Sequence, residues 1–203
     1  MKAEKIALAQ ALALVLTTSS ALAEVTIGVI VSATGPAASL GIPEKQTFAL
    51  LPQTIGGEKV KYIVLDDATD PSVAVKNARK LTAEDRVDAI IGASATPTSM
   101  GILEVAFEAK TPQIAMAPLP PAGDKAPWVF TTPQSFPLMA IAMVQHMAGN
   151  NIKTLGFIGY ADAYGELWLK AIQDAAAAKG VTVSAVERYQ RNDTSSSFHQ
   201  YGY

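Results

Sequence analysis

The chain has 203 residues, no cysteine, a formal net charge of −2 at pH 7 and 49% hydrophobic residues. The lack of cysteine excludes disulfides, thiolate catalysis, cysteine-ligated zinc and iron–sulfur clusters, and the slight negative charge argues against a nucleic-acid partner. This composition is typical of a soluble globular protein with one large or two small domains.

The first 23 residues have the pattern of a secretory signal peptide. Lys2 and Lys5 precede an apolar run over residues 6–16, and Ala21-Leu22-Ala23 matches an A-x-A cleavage site. A membrane anchor is the alternative, but eleven helical residues rise only about 16 Å, short of the roughly 30 Å hydrocarbon core. We therefore expect export and cleavage after Ala23.

Strand and helix patterns alternate along the rest of the chain. In chain order we predict a strand at 25–31, a helix at 44–51, a strand at 59–65, a helix from Asp70-Pro71, a strand at 87–92, a helix from Thr96-Pro97 to about residue 109, strands at 113–117 and 128–131, a helix after residues 132–134, a strand at 154–160, a helix at 165–178 and a strand at 181–186. This alternation predicts an α/β fold with a doubly wound, mainly parallel sheet.

Two of the predicted helices begin with a capping pattern. Asp70 and Thr96 are each followed by proline, which suits the first helical position. After Asp70, apolar residues recur at i, i+4 and i+7 as Ala74, Ala78 and Leu81. We expect these three side chains to face the core.

The apolar patterns divide the mature chain into unequal parts. We predict a first lobe over residues 24–132, a partial second lobe over 133–190 and an irregular tail over 191–203. The second part holds only a strand, a helix and a strand after its first helix, which is too little to bury a core alone.

Ligands of open α/β sheets bind at the carboxyl ends of the strands, here at residues 32–40, 93–96, 117–121 and 160–164. Ser94, Ala95 and Thr96 lie between a strand and a helix N-terminus, where hydroxyls, free N–H groups and the helix dipole converge. This arrangement predicts a site for a carboxylate. Alternatively, Thr96 only caps its helix.

The same residues also allow a hydrolase interpretation. Residues 92–96 (GASAT) come within one residue of the G-x-S-x-G nucleophile elbow, and Asp124 and His146 follow in hydrolase order. Against it, Thr96 replaces the second glycine and His146 lies in an apolar helix. A secreted serine esterase that uses Ser94 remains the alternative function.

Cofactor and metal motifs are missing from the sequence. Neither G-x-G-x-x-G nor G-x-x-x-x-G-K-[ST] occurs. Asp66, Asp67 and Asp70 lack the spacing of a calcium loop, so we interpret them as turn and cap residues. We expect no cofactor and no metal.

Several segments in order resemble one known family. They are the loop 32–36 (SATGP) after the first strand, Leu40-Gly41, residues 64–67 (VLDD), the turn 91–94 (IGAS), Thr111-Pro112 and residues 156–166 (GFIGYADAYGE). The chain resembles the type I periplasmic substrate-binding proteins of ABC transporters, in particular the branched-chain amino-acid (Leu/Ile/Val) group. The implied fold is the periplasmic binding protein-like I lobe, with an incomplete second α/β lobe.

The resemblance implies a periplasmic monomer that closes on a small molecule and delivers it to ABC permease subunits, with no chemical reaction. Ser94, Ala95 and Thr96 look like the residues that receive the ligand carboxylate. Ala117 looks like a backbone contact. Tyr164 looks like the aromatic side chain that covers the ligand, or else a partly exposed loop tyrosine. A ligand-sensing receptor domain would look the same.

Two positions depart from amino-acid binders of the family. Leu119 occupies a position where a hydroxyl helps to hold the ligand ammonium, and Leu40 one where an aromatic is common. An ammonium left without acceptors in a closed cleft would cost on the order of several kcal/mol. A carboxylate without an ammonium, such as an aromatic or aliphatic acid, fits these two positions better. Because the resembled family centres on amino acids, the predicted ligand is a branched-chain amino acid or a similar small carboxylate, with the aromatic or aliphatic acid as the alternative.

Proteins of the resembled family are about twice as long as this chain, enough for two full domains. We expect the chain to hold one lobe and the beginning of a second, as in a truncated protein. Such a chain is expected to bind its ligand weakly or not at all, because one wall of the cleft is incomplete.

Overall fold

The computed structural model describes residues 24–193. The predicted signal peptide and residues 194–203 of the predicted tail lie outside this range. The strands are β1 (Val25–Val31), β2 (Thr54–Ile55), β3 (Glu58–Asp66), β4 (Ala89–Gly92), β5 (Gln113–Ala115), β6 (Val129–Thr131), β7 (Thr154–Tyr160) and β8 (Thr182–Tyr189). The helices are α1 (Ala38–Ala49), α2 (Pro71–Ala83), α3 (Thr96–Ala109), α4 (Phe136–Gly149) and α5 (Ala163–Ala177), with a 3₁₀ turn at Gly123–Trp128.

Six strands form one sheet in the order β2-β3-β1-β4-β5-β6. All neighbours are parallel except β2, which pairs antiparallel with β3. Strand β1 is central, and its Ile27 lies between Tyr62 of β3 and Ala89 of β4. Strands β7 and β8 form a second, two-stranded parallel sheet. The predicted α/β class with a parallel sheet is confirmed.

The core of the larger sheet lies between β1 and the helices α2 and α3. Ala74, Ala78 and Leu81 of α2 are fully buried and pack with Ile30 and Ile102, so the predicted apolar face of this helix is confirmed. Burying a Leu or Ile side chain stabilises a fold by about 1.5–3 kcal/mol. The cap is confirmed as well, because the Asp70 carboxylate accepts hydrogen bonds from the first-turn N–H groups of α2.

Helices α4 and α5 pack together on β7. Phe136, Ala140, Ala171 and Ile172 are buried there. The Phe136 ring also meets Trp168 of α5 edge-on at 5.5 Å between centroids. This aromatic contact anchors the start of α4 to the helix that borders the site described below.

The structure differs from the predicted elements at α1. The helix begins at Ala38, six residues before the predicted start, and Pro43 lies inside it. Gly41 explains the early start. A Cβ at this position would lie 2.1 Å from the Ser32 carbonyl oxygen, so only glycine lets the first turn pack against the end of β1. Because proline is disfavoured inside helices, Pro43 argues in the sequence against a helical turn before it.

The capping prediction at Thr96 is wrong. Ala95 is the N-cap of α3 and makes no side-chain cap bond. Thr96 is the first helical residue, and its hydroxyl donates to the Pro118 carbonyl oxygen at 2.9 Å. Tertiary packing against the loop after β5 therefore replaces the local cap. Strand β8 also runs three residues beyond its predicted end, to Tyr189.

Within residues 24–193, no helix combines the length and the apolar character that a membrane crossing requires.

Candidate functional site

A cleft of about 390 Å³ opens where the carboxyl ends of β1, β4 and β5 face the carboxyl end of β7. This volume lies in the range of small-molecule sites. Its walls carry one acidic side chain, one basic side chain, two tyrosines, three serine or threonine residues and small or apolar groups. The residues that line it are Pro36, Ala37, Ser39, Leu40, Glu44, Ser94, Ala95, Thr96, Met116, Ala117, Pro118, Tyr160, Tyr164 and Arg191.

The N-terminus of α3 forms one end of the cleft. Its first turn presents N–H groups that have no partner inside the helix, together with the positive end of the helix dipole. Ser94 and Thr96 are buried, at 6% and 1% exposure. Because the Thr96 hydroxyl donates to Pro118, a ligand at this end would meet backbone N–H groups rather than that hydroxyl.

The Ser94 hydroxyl both accepts and donates a hydrogen bond within the protein. Its hydroxyl oxygen accepts the Ser32 N–H at 2.9 Å, and its hydroxyl donates to the Glu44 carboxylate. The one proton of the Ser94 hydroxyl therefore goes to Glu44 in this structure. A ligand carboxylate at Ser94 would have to displace that bond.

Glu44 is half-buried at the cleft wall. Burial raises the pKa of this carboxyl above its ordinary value and outweighs the Ser94 hydrogen bond, which lowers it; the charge of Asp67 raises it further. Asp67 is fully buried and accepts the Ser32 hydroxyl at 2.7 Å. Burial also raises the pKa of Asp67. A continuous set of hydrogen bonds thus runs from the core to the cleft.

The opposite wall comes from the loop after β7 and the turn after β8. Arg191 donates from Nε to the Asp162 carboxylate at 2.5 Å, and its guanidinium carbon lies 4.1 Å from the Tyr160 ring centroid. Asp162 is itself fixed as the N-cap of α5, because it accepts the Tyr164 N–H at 2.9 Å. Arg191 is therefore held in place by an ion pair and a cation–π contact.

The structure brings together five of the six predicted site residues. Ser94, Ala95, Thr96, Ala117 and Tyr164 all line the cleft.

Leu119 is not part of this group. It is 8% exposed and packs with Leu103 and Ala115 in a separate core cluster. The inference that Leu119 leaves a ligand ammonium without an acceptor therefore does not apply to this cleft.

Two charged residues of the cleft were missed in the sequence. Glu44 was assigned to the start of a short helix, and Arg191 to the irregular tail. Glu44 had no local signal, because it lies 13 residues after β1 and reaches the cleft through the first turn of α1. Arg191, in contrast, comes two residues after the end of β8. A charge this close to the carboxyl end of a strand is a candidate for ligand contact.

The positions of Ser94, Asp124 and His146 do not support the alternative function as a serine hydrolase. Within residues 24–193, the side-chain hydrogen-bond partners of Ser94 are Ser32 and Glu44. Asp124 and His146 are exposed, the first in the 3₁₀ turn and the second on α4. A serine nucleophile needs a base within hydrogen-bond reach, and the predicted histidine is not a partner of Ser94.

The half-buried carboxyl of Glu44 predicts a pH-dependent gain in stability for Glu44→Gln. Because the pKa is raised in the folded state, the ionised group costs stability above that pKa, and the cost vanishes below the ordinary value of 4.5. Glutamine still accepts from Ser94. We expect the Tm to rise by about 1–3 °C at pH 7, with no rise at pH 4 in thermal unfolding followed by circular dichroism.

The exposed Glu84 at the end of α2 supplies the control. Glu84→Gln should leave the Tm nearly unchanged at both pH values. A lower Tm for Glu44→Gln at pH 7 would contradict the assignment of Glu44 as a half-buried carboxyl whose ionised form costs stability.

Known proteins are similar to this chain in fold and in sequence. The model of the periplasmic binding protein family matches residues 24–200. An extracellular ligand-binding receptor from Rhodopseudomonas palustris HaA2 is 44% identical, with a TM-score of 0.82, over 87% of this chain and 49% of its own. A protein of Rhodopseudomonas palustris strain CGA009 is 45% identical, with a TM-score of 0.82, over 87% and 50%.

A more distant structure carries a ligand. It is a solute binding protein of an ABC transporter from Rhodopseudomonas palustris BisB5 in complex with 3,4-dihydroxybenzoic acid, 26% identical with a TM-score of 0.74 over 82% of this chain and 47% of its own. No curated protein sequence matches the chain.

The chain spans about half the length of these solved relatives. The family match covers residues 24–200, and each of the two more similar structures aligns with 87% of the chain. The chain therefore belongs to the periplasmic binding protein family, with the type I fold.

Proposed function

We propose that the protein is the extracytoplasmic solute-binding component of an ABC transporter and captures a small carboxylate in the cleft, without chemistry. One observation carries the proposal. The N-terminus of α3 and the guanidinium of Arg191 line the same cavity of about 390 Å³, beside Tyr160 and Tyr164. An anion in this cavity gains helix N–H donors, an arginine and two aromatic faces.

The roles of the wall residues follow from their chemistry. The ligand carboxylate faces the first turn of α3, near Ala95 and Thr96, and Ala117 forms the small wall beside it. Tyr164 covers the ligand from the side of α5. The Tyr164 ring is itself held by an edge-on contact with the Phe136 ring, at 5.6 Å between centroids. An aromatic or aliphatic body fits between these groups.

The comparisons support the class of function. The structure from strain BisB5 is named as an ABC-transporter protein and holds an aromatic carboxylic acid. On this basis the protein acts in the periplasm after removal of residues 1–23, as a monomer, and passes its ligand to permease subunits in the inner membrane.

A titration with benzoate tests the proposal. We expect saturable chemical-shift changes at the backbone amides of Ala95 and Thr96 in two-dimensional NMR spectra of the chain from Glu24 onward. The affinity is expected to be weak, because the second wall consists of few residues. Shifts spread over the surface without saturation, or none at these amides, would refute a carboxylate site at α3.

A further inference from the structure

We propose that Glu44 is a specificity-determining residue of the cleft, which selects carboxylate ligands that also carry a hydrogen-bond donor, a hydroxyl or an ammonium. This inference rests on the proposed function and specifies its ligand class. Glu44 is the one acidic side chain among the residues that line the cleft in the described part of the chain.

Glu44 has an unmet capacity for hydrogen bonds. Its carboxylate accepts from Ser94 through Oε2, and no lysine, arginine or histidine within residues 24–193 forms an ion pair with it. An ionised carboxylate has about four acceptor positions on its two oxygens. A half-buried carboxylate with one donor is therefore disposed to accept a donor from a ligand.

The same placement decides the orientation of the ligand. A ligand carboxylate beside Glu44 would face a like charge and would meet a Ser94 hydroxyl whose proton is already donated. The positive end of the α3 dipole and the guanidinium of Arg191 attract the ligand carboxylate instead. The carboxylate thus lies toward Arg191 and α3, and the part of the ligand that reaches Glu44 carries the donor.

The position of Glu44 is fixed by its surroundings. The close approach of Gly41 to Ser32 sets where α1 lies on β1, and the Ser94 hydroxyl holds the carboxylate. Ser94 is in turn held by the Ser32 N–H. A preorganised acceptor loses little freedom on binding, so it discriminates strongly between ligands.

Two ligand pairs test the proposal, each differing by one donor group. Benzoate is compared with 4-hydroxybenzoate, and 4-methylpentanoate with leucine, in NMR titrations of the wild type, Glu44→Ala, Glu44→Gln and the exposed control Glu84→Gln. For at least one pair we expect the donor-bearing member to bind about 10-fold more tightly to the wild type, the size expected for one charged hydrogen bond that is partly exposed.

The variants identify the source of this preference. Glu44→Ala is expected to bring the ratio of the two dissociation constants close to 1, and Glu84→Gln to leave it unchanged. Glu44→Gln keeps an acceptor without the charge. It should therefore retain part of a preference for the hydroxyl and lose a preference for the ammonium, which tells the two donor types apart.

Three results would overturn the proposal. A wild-type ratio near 1 for both pairs, while the plain carboxylates bind, would remove the role of Glu44 and leave the proposed function intact. A donor preference that survives in Glu44→Ala would assign it to another group. If none of the four ligands perturbs the cleft amides, the carboxylate site and the role of Glu44 both fail.

Discussion

Replacing Gly41 by alanine is expected to lower the free energy of unfolding by about 2–4 kcal/mol, the range of severe core substitutions. The added Cβ would lie 2.1 Å from the carbonyl oxygen and 2.2 Å from the carbonyl carbon of Ser32. Both are backbone atoms, so no side chain can rotate to make room. Helix α1 has to move away from β1, and it carries Leu40 and Glu44 out of the cleft.

Urea unfolding followed by far-ultraviolet circular dichroism measures this effect. Gly149→Ala is the matched control, because an added Cβ at the last residue of α4 meets no atom within 4 Å. It should change the free energy of unfolding by less than about 0.5 kcal/mol. Equal stability of Gly41→Ala and Gly149→Ala would contradict the packing of α1 described here.

The elements that could be predicted are those fixed by local pattern. Strands β1 and β7 were predicted to the residue, because each is an apolar run bounded by turn residues. The start of α2 was predicted because Asp70 and Pro71 satisfy its first turn within four residues of chain. For these strands and for the start of α2, the residues that determine the element are close to one another in sequence.

The remaining features depend on contacts between distant parts of the chain. The first turn of α1 forms because Gly41 fits against Ser32, and no local pattern marks that approach. Glu44 reaches the cleft through a bond to Ser94, fifty residues away. Thr96 resembles a cap in the sequence, but its hydroxyl is drawn to Pro118 by the loop after β5. The position of Leu119 in the core likewise required the fold.

The position of Arg191 was likewise not predictable from local sequence, and its substitution is expected to have a large effect on ligand affinity. It follows a strand whose last residues, including Tyr189, lack a clear apolar alternation, and its partner Asp162 lies 29 residues earlier. Once placed, its side chain is only 16% exposed, and the bond to Asp162 uses Nε alone. The other N–H groups of a planar guanidinium remain suited to a carboxylate.

Arg191→Ala is therefore expected to weaken the binding of benzoate by about 10-fold or more, the loss that follows when a charged hydrogen-bond donor is removed from a partly buried site. NMR titration of the cleft amides measures the dissociation constant. Arg188→Ala is the matched control, because Arg188 forms a comparable ion pair with Glu166 at 2.5 Å but is exposed and does not line the cleft.

The two arginine variants separate binding from stability. Each variant loses one ion pair, so both should lose little stability, and Arg191→Ala somewhat more because its pair with Asp162 is less exposed. Only Arg191→Ala should lose affinity. Equal affinities for the two variants would show that the guanidinium beside Tyr160 does not hold the carboxylate, and the α3 N-terminus would then bind it alone.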